Sequence, residues 1–259
     1  MTATESTATP ARPLAPGARI PALVAYVFRA CVPRKRLAVL GLPAAVILLT
    51  GVLSRGVADV EAAESFARIG DGMIFGLALP LGALVIGDAV LGAEVRAGTL
   101  AFSWMTPTRF WELAVARWLG GWILALVTLV PAAVLATLVA GVPDQAGPIA
   151  LAAAAGTAAH VALFVFIGCV TRRAAVWSLA VVLLVERLLG AALTGIAQLS
   201  PTWEARAVYA ALADVPDDLV RSGIPGGWGA VVRLAIITAV FVGGTVWGLR
   251  HLELTGSHD

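Results

Sequence analysis

Six apolar runs, each near the length needed to cross a bilayer, leave this chain few folds to adopt. They cover residues 37–53, 73–91, 118–142, 145–171, 174–199 and 227–249. A spanning helix needs about 20 predominantly apolar residues. Lipid offers a backbone no hydrogen-bond partner, so such runs satisfy their own amides by forming helices. The third run contains no charge, and the fourth is uncharged unless His160 is protonated. Across the chain 59% of residues are hydrophobic and 13% are charged, against about 25% charged in soluble domains. The fold class expected is an all-α membrane protein with six transmembrane helices. Pro43, Pro80 and Pro131 fall inside the runs, where kinks are tolerated because neighbouring helices re-satisfy freed carbonyls.

Lys and Arg in the short connections set the orientation. With the N-terminus inside, the inner segments carry Arg12, Arg19, Arg29, Arg34, Lys35, Arg36, Arg96, Arg109, Arg117, Arg172, Arg173 and Arg250. The outer connections carry only Arg55, Arg68, Arg206 and Arg221. Both termini are therefore expected in the cytoplasm. Residues 1–17 are rich in Thr, Ala and Pro, without the apolar stretch of a secretory signal, and read as a disordered tail. Within 18–36, Ile20, Leu23, Val24, Val27, Phe28 and Cys31 recur on one helical face. Arg19 and Arg29 flank that face, Pro33 separates it from the first span, and the segment reads as an amphipathic helix in the membrane interface. Residues 37–250 then form the six-span domain, and 251–259 a short tail.

The outer connections are acidic. Residues 54–72 carry Asp59, Glu61, Glu64 and Asp71, and 200–226 carry Glu204, Asp214, Asp217 and Asp218. The longer connection fits either short helices that cap or dip into the outer leaflet, over 204–212 and 216–221, or an ordinary solvated loop. Trp203, Tyr209 and Trp228 would anchor it at the interface. Cys31 and Cys169 both map to the cytoplasmic side and read as packing residues rather than a disulfide.

Five polar groups stand out within the spans. Glu186 stands twelve residues beyond Ala174, hence ~18 Å into the bilayer. A charge there costs roughly 2.5–3.5 kcal/mol, so it should be neutral, paired or facing a wet cavity. Arg187 is rotated by about 100° from it and cannot share its face. Pairing within the bundle outweighs contact with a transported molecule, though either group fits the second role. Asp88 is placed to cap or pair at the inner end of the second span, and Arg233 to snorkel outward. His160 reads as a hydrogen-bonded packing residue, without a second ligand at metal spacing.

The cytoplasmic connection 92–117 is the most informative loop. Glu94 and Arg96 precede Gly98-Thr99-Leu100, an apolar patch with Phe102, Trp104 and Met105 comes next, and Pro107 with Arg109 restarts a helical pattern. Large apolar side chains in a cytoplasmic loop need a cover, which suggests a docking surface for a soluble partner. Glu94, Gly98-Thr99-Leu100, Pro107 and Arg109, in this spacing and with this topology, resemble the membrane subunit of an ABC exporter of the second class (ABC-2 permeases). The likeness extends from about Ala18 to Arg250. It departs at Trp104-Met105-Thr106 and Ala116-Arg117, where the family often has apolar residues before the proline and Gly-Lys after it.

The resemblance implies a transport subunit without catalytic residues of its own. Two separate ATPase subunits, binding ATP and Mg, would power two permease copies, or one copy and a sister permease. Residues 93–106 would form the coupling helix, with Glu94, Arg96, Gly98, Thr99, Leu100, Phe102, Pro107 and Arg109 at the ATPase groove. The permease interface would be built from spans one, two and five, near Glu186 and Arg187, with Asp88 at the inner end of span two. The setting would be a bacterial inner membrane, and the cargo a small or lipid-like molecule. The chain has no phosphate-binding loop of the G-x-x-x-x-G-K-[ST] type, no H-E-x-x-H and no G-x-S-x-G. It also lacks a basic surface for nucleic acid. The alternative is an intramembrane enzyme or a non-transporting accessory protein, resting on Glu186, His160 and Asp88.

Overall fold

The computed structural model describes residues 17–31, 34–56, 61–98, 108–213, 215 and 223–251, with 30, 31 and 34–38 described in their backbone alone. The described residues are helical and contain no strand. In chain order the helices are α1 (Ile20–Cys31), α2 (Arg34–Ser54), α3 (Ala62–Arg96), α4 (Phe110–Ala140) and α5 (Ala146–Val170). They continue with α6 (Ala174–Ala192), α7 (Thr194–Ala197), α8 (Pro201–Ala213) and α9 (Trp228–His251). Helices α3, α4, α5, α6 and α9 are long and apolar enough to cross a membrane, α5 counted with the turn at Pro143–Gln145 that precedes it. In α2 the apolar stretch Val39–Ser54 is shorter. The molecule is a multi-pass helical membrane protein.

The second half of α3, with α4 and α5, makes the centre of the bundle. Ala83, Ile86, Val90, Leu91, Ala125, Leu129, Ala133, Val161 and Phe164 are buried there. Trp118 and Trp122 stack with centroids 5.5 Å apart and donate their indole N–H groups to Ala158 O (3.0 Å) and Ala154 O (2.9 Å) of α5. Those carbonyls become available because Thr157 and its alanine neighbours carry little bulk. Helix α4 ends where Gly141 takes φ +84°, so that its N–H reaches Leu138 O at 3.2 Å. Helix α2 packs on α4 on one side and α9 on α5 on another. The outward faces of α2, α6 and α9 expose Leu42, Val52, Val176, Leu184, Leu188, Val232 and Val240, as expected of surfaces that meet lipid.

Three boundaries differ from the sequence reading. Residues 62–72, read as part of a connection, are helical, because α3 begins at Ala62 ahead of the second apolar run. Its two stretches of wider π-helical turn, Asp71–Ala78 and Asp88–Gly92, lie on either side of Pro80, where the regular hydrogen-bond ladder is interrupted. The fifth span does not run to 199. It stops at Ala192, and Leu193 is extended (φ −120°, ψ 114°) before the single turn of α7. The connection after it is no plain solvated loop over its described part, since α8 is a buried helix. The sequence piece 216–221 lies outside the described residues.

Helix α8 runs antiparallel along α5. Thr202 lies beside His160, Ala205 beside Gly156, and Tyr209 donates its hydroxyl to Gln145 at the start of α5. It therefore begins midway along α5 and ends level with its N-terminus, which makes 193–213 re-entrant. The approach depends on Gly156, where a Cβ would come within 2.7 Å of Ala205 Cβ. Tyr209 is accordingly a buried residue (3% exposed) and not an interfacial anchor, whereas Trp228 is 72% exposed. Trp203 is half-buried and donates to Glu186 O at 3.2 Å.

Candidate functional site

Two polar clusters occupy opposite ends of the bundle. The first joins α1, the end of α3 and the start of α4. Arg117 lies about two turns inside α4, and its guanidinium donates to both oxygens of Glu94, Nη1 to Oε1 at 2.7 Å and Nη2 to Oε2 at 2.6 Å. The same Nη1 donates to Val90 O at 2.8 Å, one of the carbonyls beside the Asp88–Gly92 π-turn. Tyr26 of α1 donates to Glu94 Oε1 at 3.4 Å, and its ring lies 5.4 Å from Arg117 Cζ, a cation–π arrangement. The Arg117 side chain is 3% exposed and that of Glu94 14%. A forked Arg–carboxylate pair fixes angle as well as distance, so the three helices are held in one geometry.

Around that pair sit further links. Asp88 accepts from both Nη atoms of Arg96 two helical turns later on α3. Glu112 accepts from the Arg109 N–H at 3.0 Å, closing the start of α4, and from the Gly17 N–H at 2.6 Å, which fastens the entry to α1. On α1, Val27 is 1% exposed and packs at Gly120 of α4. Of the residues expected at the coupling surface, Glu94, Arg96, Gly98 and Arg109 are described. Thr99, Leu100, Phe102 and Pro107 lie outside the described residues. Gly98 takes φ +67°, and a Cβ there would meet nothing within 4 Å. Sequence reasoning counts Arg117 only as a flanking cation and passes over Glu112, since the contacts that matter, to Glu94 and to Gly17, come from distant positions in the chain.

The second cluster gathers at the re-entrant helix. His160 Nδ1 lies 2.9 Å from Gly156 O. A carbonyl can only accept, so Nδ1 carries hydrogen. Nε2 then faces Glu186 Oε2 and Thr202 Oγ1, both at 3.3 Å, while Thr202 donates to the same Oε2 at 2.7 Å. One proton is thus held between Nε2 and Oε2, either as imidazolium and carboxylate or as imidazole and carboxylic acid. His160 and Glu186 side chains are each 2% exposed. Glu204 of α8 is fully buried and pairs with Arg233 of α9 at 3.2 Å, so Arg233 is engaged inside the bundle and does not merely snorkel. Arg206 donates to Asp71 O at 3.0 Å and stacks over Trp203 at 4.5 Å. Its Nε lies 2.9 Å from Asp71 Oδ1, a charge contact off the N–H axis.

These contacts bring Glu186, His160 and Thr202 together, and leave Asp88 at the far end. Among the described residues no group of three or more His, Cys, Asp or Glu side chains is placed to hold a metal. Thr202 gives its proton to Glu186 at 2.7 Å, with His160 Nε2 at 3.3 Å from the same hydroxyl. Cys169 is buried, with its thiol 3.9 Å from Thr245 O. Comparison with known proteins finds no matching family model and no matching curated protein.

Proposed function

We propose that this chain is the permease subunit of an ATP-driven exporter of the ABC-2 kind, moving a small or lipid-like molecule across a bacterial inner membrane. It would have six spans, α2 being the first, and both termini in the cytoplasm. The observation that carries this reading is the Tyr26–Glu94–Arg117 junction. It ties an amphipathic helix, the end of α3 and the start of α4 into one unit directly beside the loop that reads as a docking surface. A push delivered to that loop would reach α3 and α4 together, because neither can tilt alone without breaking the buried Glu94–Arg117 pair, and α1 would follow through Tyr26. The partner would be a separate ATPase subunit in two copies, carrying ATP and Mg, since this sequence has no phosphate-binding loop. A second copy or a sister permease would complete the transporter.

The alternative of an intramembrane enzyme gains little from the second cluster. Its His160–Glu186–Thr202 contacts are buried, with His160 and Glu186 each 2% exposed, which leaves no open route for a substrate to reach the Thr202 hydroxyl. The test uses Gly98→Trp, because the space at Gly98 is open toward solvent and Glu94 is already engaged by Arg117. In vesicles containing the chain with its ATPase, this variant should insert normally while stimulated ATP turnover and transport are lost. Full coupling in the variant would overturn the docking assignment.

A further inference from the structure

We infer that Arg187 and Arg206 form a binding site for the phosphate of an anionic phospholipid headgroup, at the end of the bundle away from Glu94. The two guanidinium groups converge on one point of α3. A Cβ at Gly76 would overlap Arg187 Nη1, and would lie 3.0 Å from both Arg187 Cζ and Arg206 Nη2. Arg206 donates from Nη2 to Asp71 O, lies against the Asp71 carboxylate and stacks on Trp203, with its Nε left without a hydrogen bond. Arg187 makes no hydrogen bond or ion pair with any described residue, although it sits on a spanning helix. An uncompensated arginine in a span is costly and is kept for a ligand or a pathway. Two guanidiniums against the single carboxylate of Asp71 leave one positive charge in excess, presented by planar forks suited to phosphate oxygens.

Depth and accounting identify the occupant. Gly76 lies one turn beyond Met73, where the apolar run of α3 begins. Arg187 is thirteen residues past Ala174, hence ~20 Å along α6 in a core of ~30 Å, and its extended side chain covers much of the rest. Both place the forks at the boundary of headgroup and acyl chain. The described carboxylates nearby are each paired through one oxygen, Glu186 with His160 and Thr202, Glu204 with Arg233 and Asp71 with Arg206, and the remaining oxygens of Glu186 and Glu204 are buried, out of reach of another chain. A second copy of the chain therefore has no described carboxylate free at this depth, whereas a lipid phosphate is present at that level by composition. The inference needs only the membrane-spanning fold and stands apart from any ATPase.

The test is native mass spectrometry of the purified full chain after exchange into mixed micelles holding equal phosphatidylglycerol and phosphatidylcholine. Wild type should retain phosphatidylglycerol preferentially. Arg187→Gln should lower that retention about tenfold, the worth of one or two charge-assisted hydrogen bonds. Gly76→Ala should do the same, displacing the Arg187 fork without removing its charge. Arg55→Gln, which removes an exposed cation elsewhere, should change nothing. Equal retention by wild type and Arg187→Gln would overturn the proposal. So would displacement of the lipid by millimolar inorganic phosphate, which would assign the site to a soluble anion. Conversion of a dimer to monomer by Arg187→Gln without a change in lipid would assign the arginine to a second copy, and would overturn it too.

Discussion

Removing Arg117 should loosen one end of the molecule in a way that can be sized in advance. The guanidinium makes a forked pair with Glu94, a third hydrogen bond to Val90 O and a ring contact with Tyr26. An exposed ion pair contributes only about 0–1 kcal/mol, but here the arginine is 3% and the glutamate 14% exposed. Arg117→Ala therefore removes the forked cationic partner of a largely buried carboxylate, a loss of roughly 3–5 kcal/mol. Residual water at Glu94 argues for the lower end, about 3 kcal/mol. For a chain of this size that corresponds to a fall in Tm of roughly 6–12 °C in detergent. Arg117→Lys keeps the charge without the fork and should lose about half as much. Hydrogen exchange should rise in α1, which is attached through Tyr26, and stay unchanged in α9. The double variant Glu94→Ala/Arg117→Ala should be less destabilised than the sum of its parts, by about 1–3 kcal/mol. Equal Tm values for Arg117→Ala, Arg117→Lys and wild type, with α1 exchange unmoved, would refute the reasoning.

Two further predictions concern the re-entrant helix. His160→Ala leaves Glu186 buried beside Thr202 alone and should destabilise by roughly 3 kcal/mol, whereas Glu186→Gln, which keeps the shape and can still donate and accept, should lose about 1 kcal/mol; thermal unfolding in detergent separates them, and a reversed order would contradict the shared-proton arrangement. Gly156→Val should push α8 off α5, since even a Cβ comes within 2.7 Å of Ala205 Cβ, at a loss of roughly 1–3 kcal/mol with faster exchange confined to 201–213.

How much of this is readable depends on whether the cause is local. The apolar runs are local, so the helices appear where those runs stand, and α4 starts just after Pro107, where the helical pattern resumes. Helix ends are harder. Leu189–Leu199 reads as a mostly apolar stretch with Gln198 near its end, and the break at Leu193 accompanies contacts that Trp203 and Thr202 make to Glu186 from further along the chain. The two polar clusters share this origin. Glu186 is marked by its depth, but its partner His160 reads as separate because twenty-six positions divide them. Arg117 gives no sign of burial, being one more arginine beside a span. Gly156 within an alanine-rich helix is the available hint that another helix comes close, and the sequence does not say which.

The most direct test of the central reading is to purify the tagged full-length chain from mild detergent in its native host and identify by mass spectrometry what comes with it. The permease reading predicts a stoichiometric soluble subunit carrying its own phosphate-binding loop, lost from the Gly98→Trp variant and retained by Arg187→Gln. A chain that emerges alone, and stays alone when candidate ATPase subunits are supplied, would contradict it.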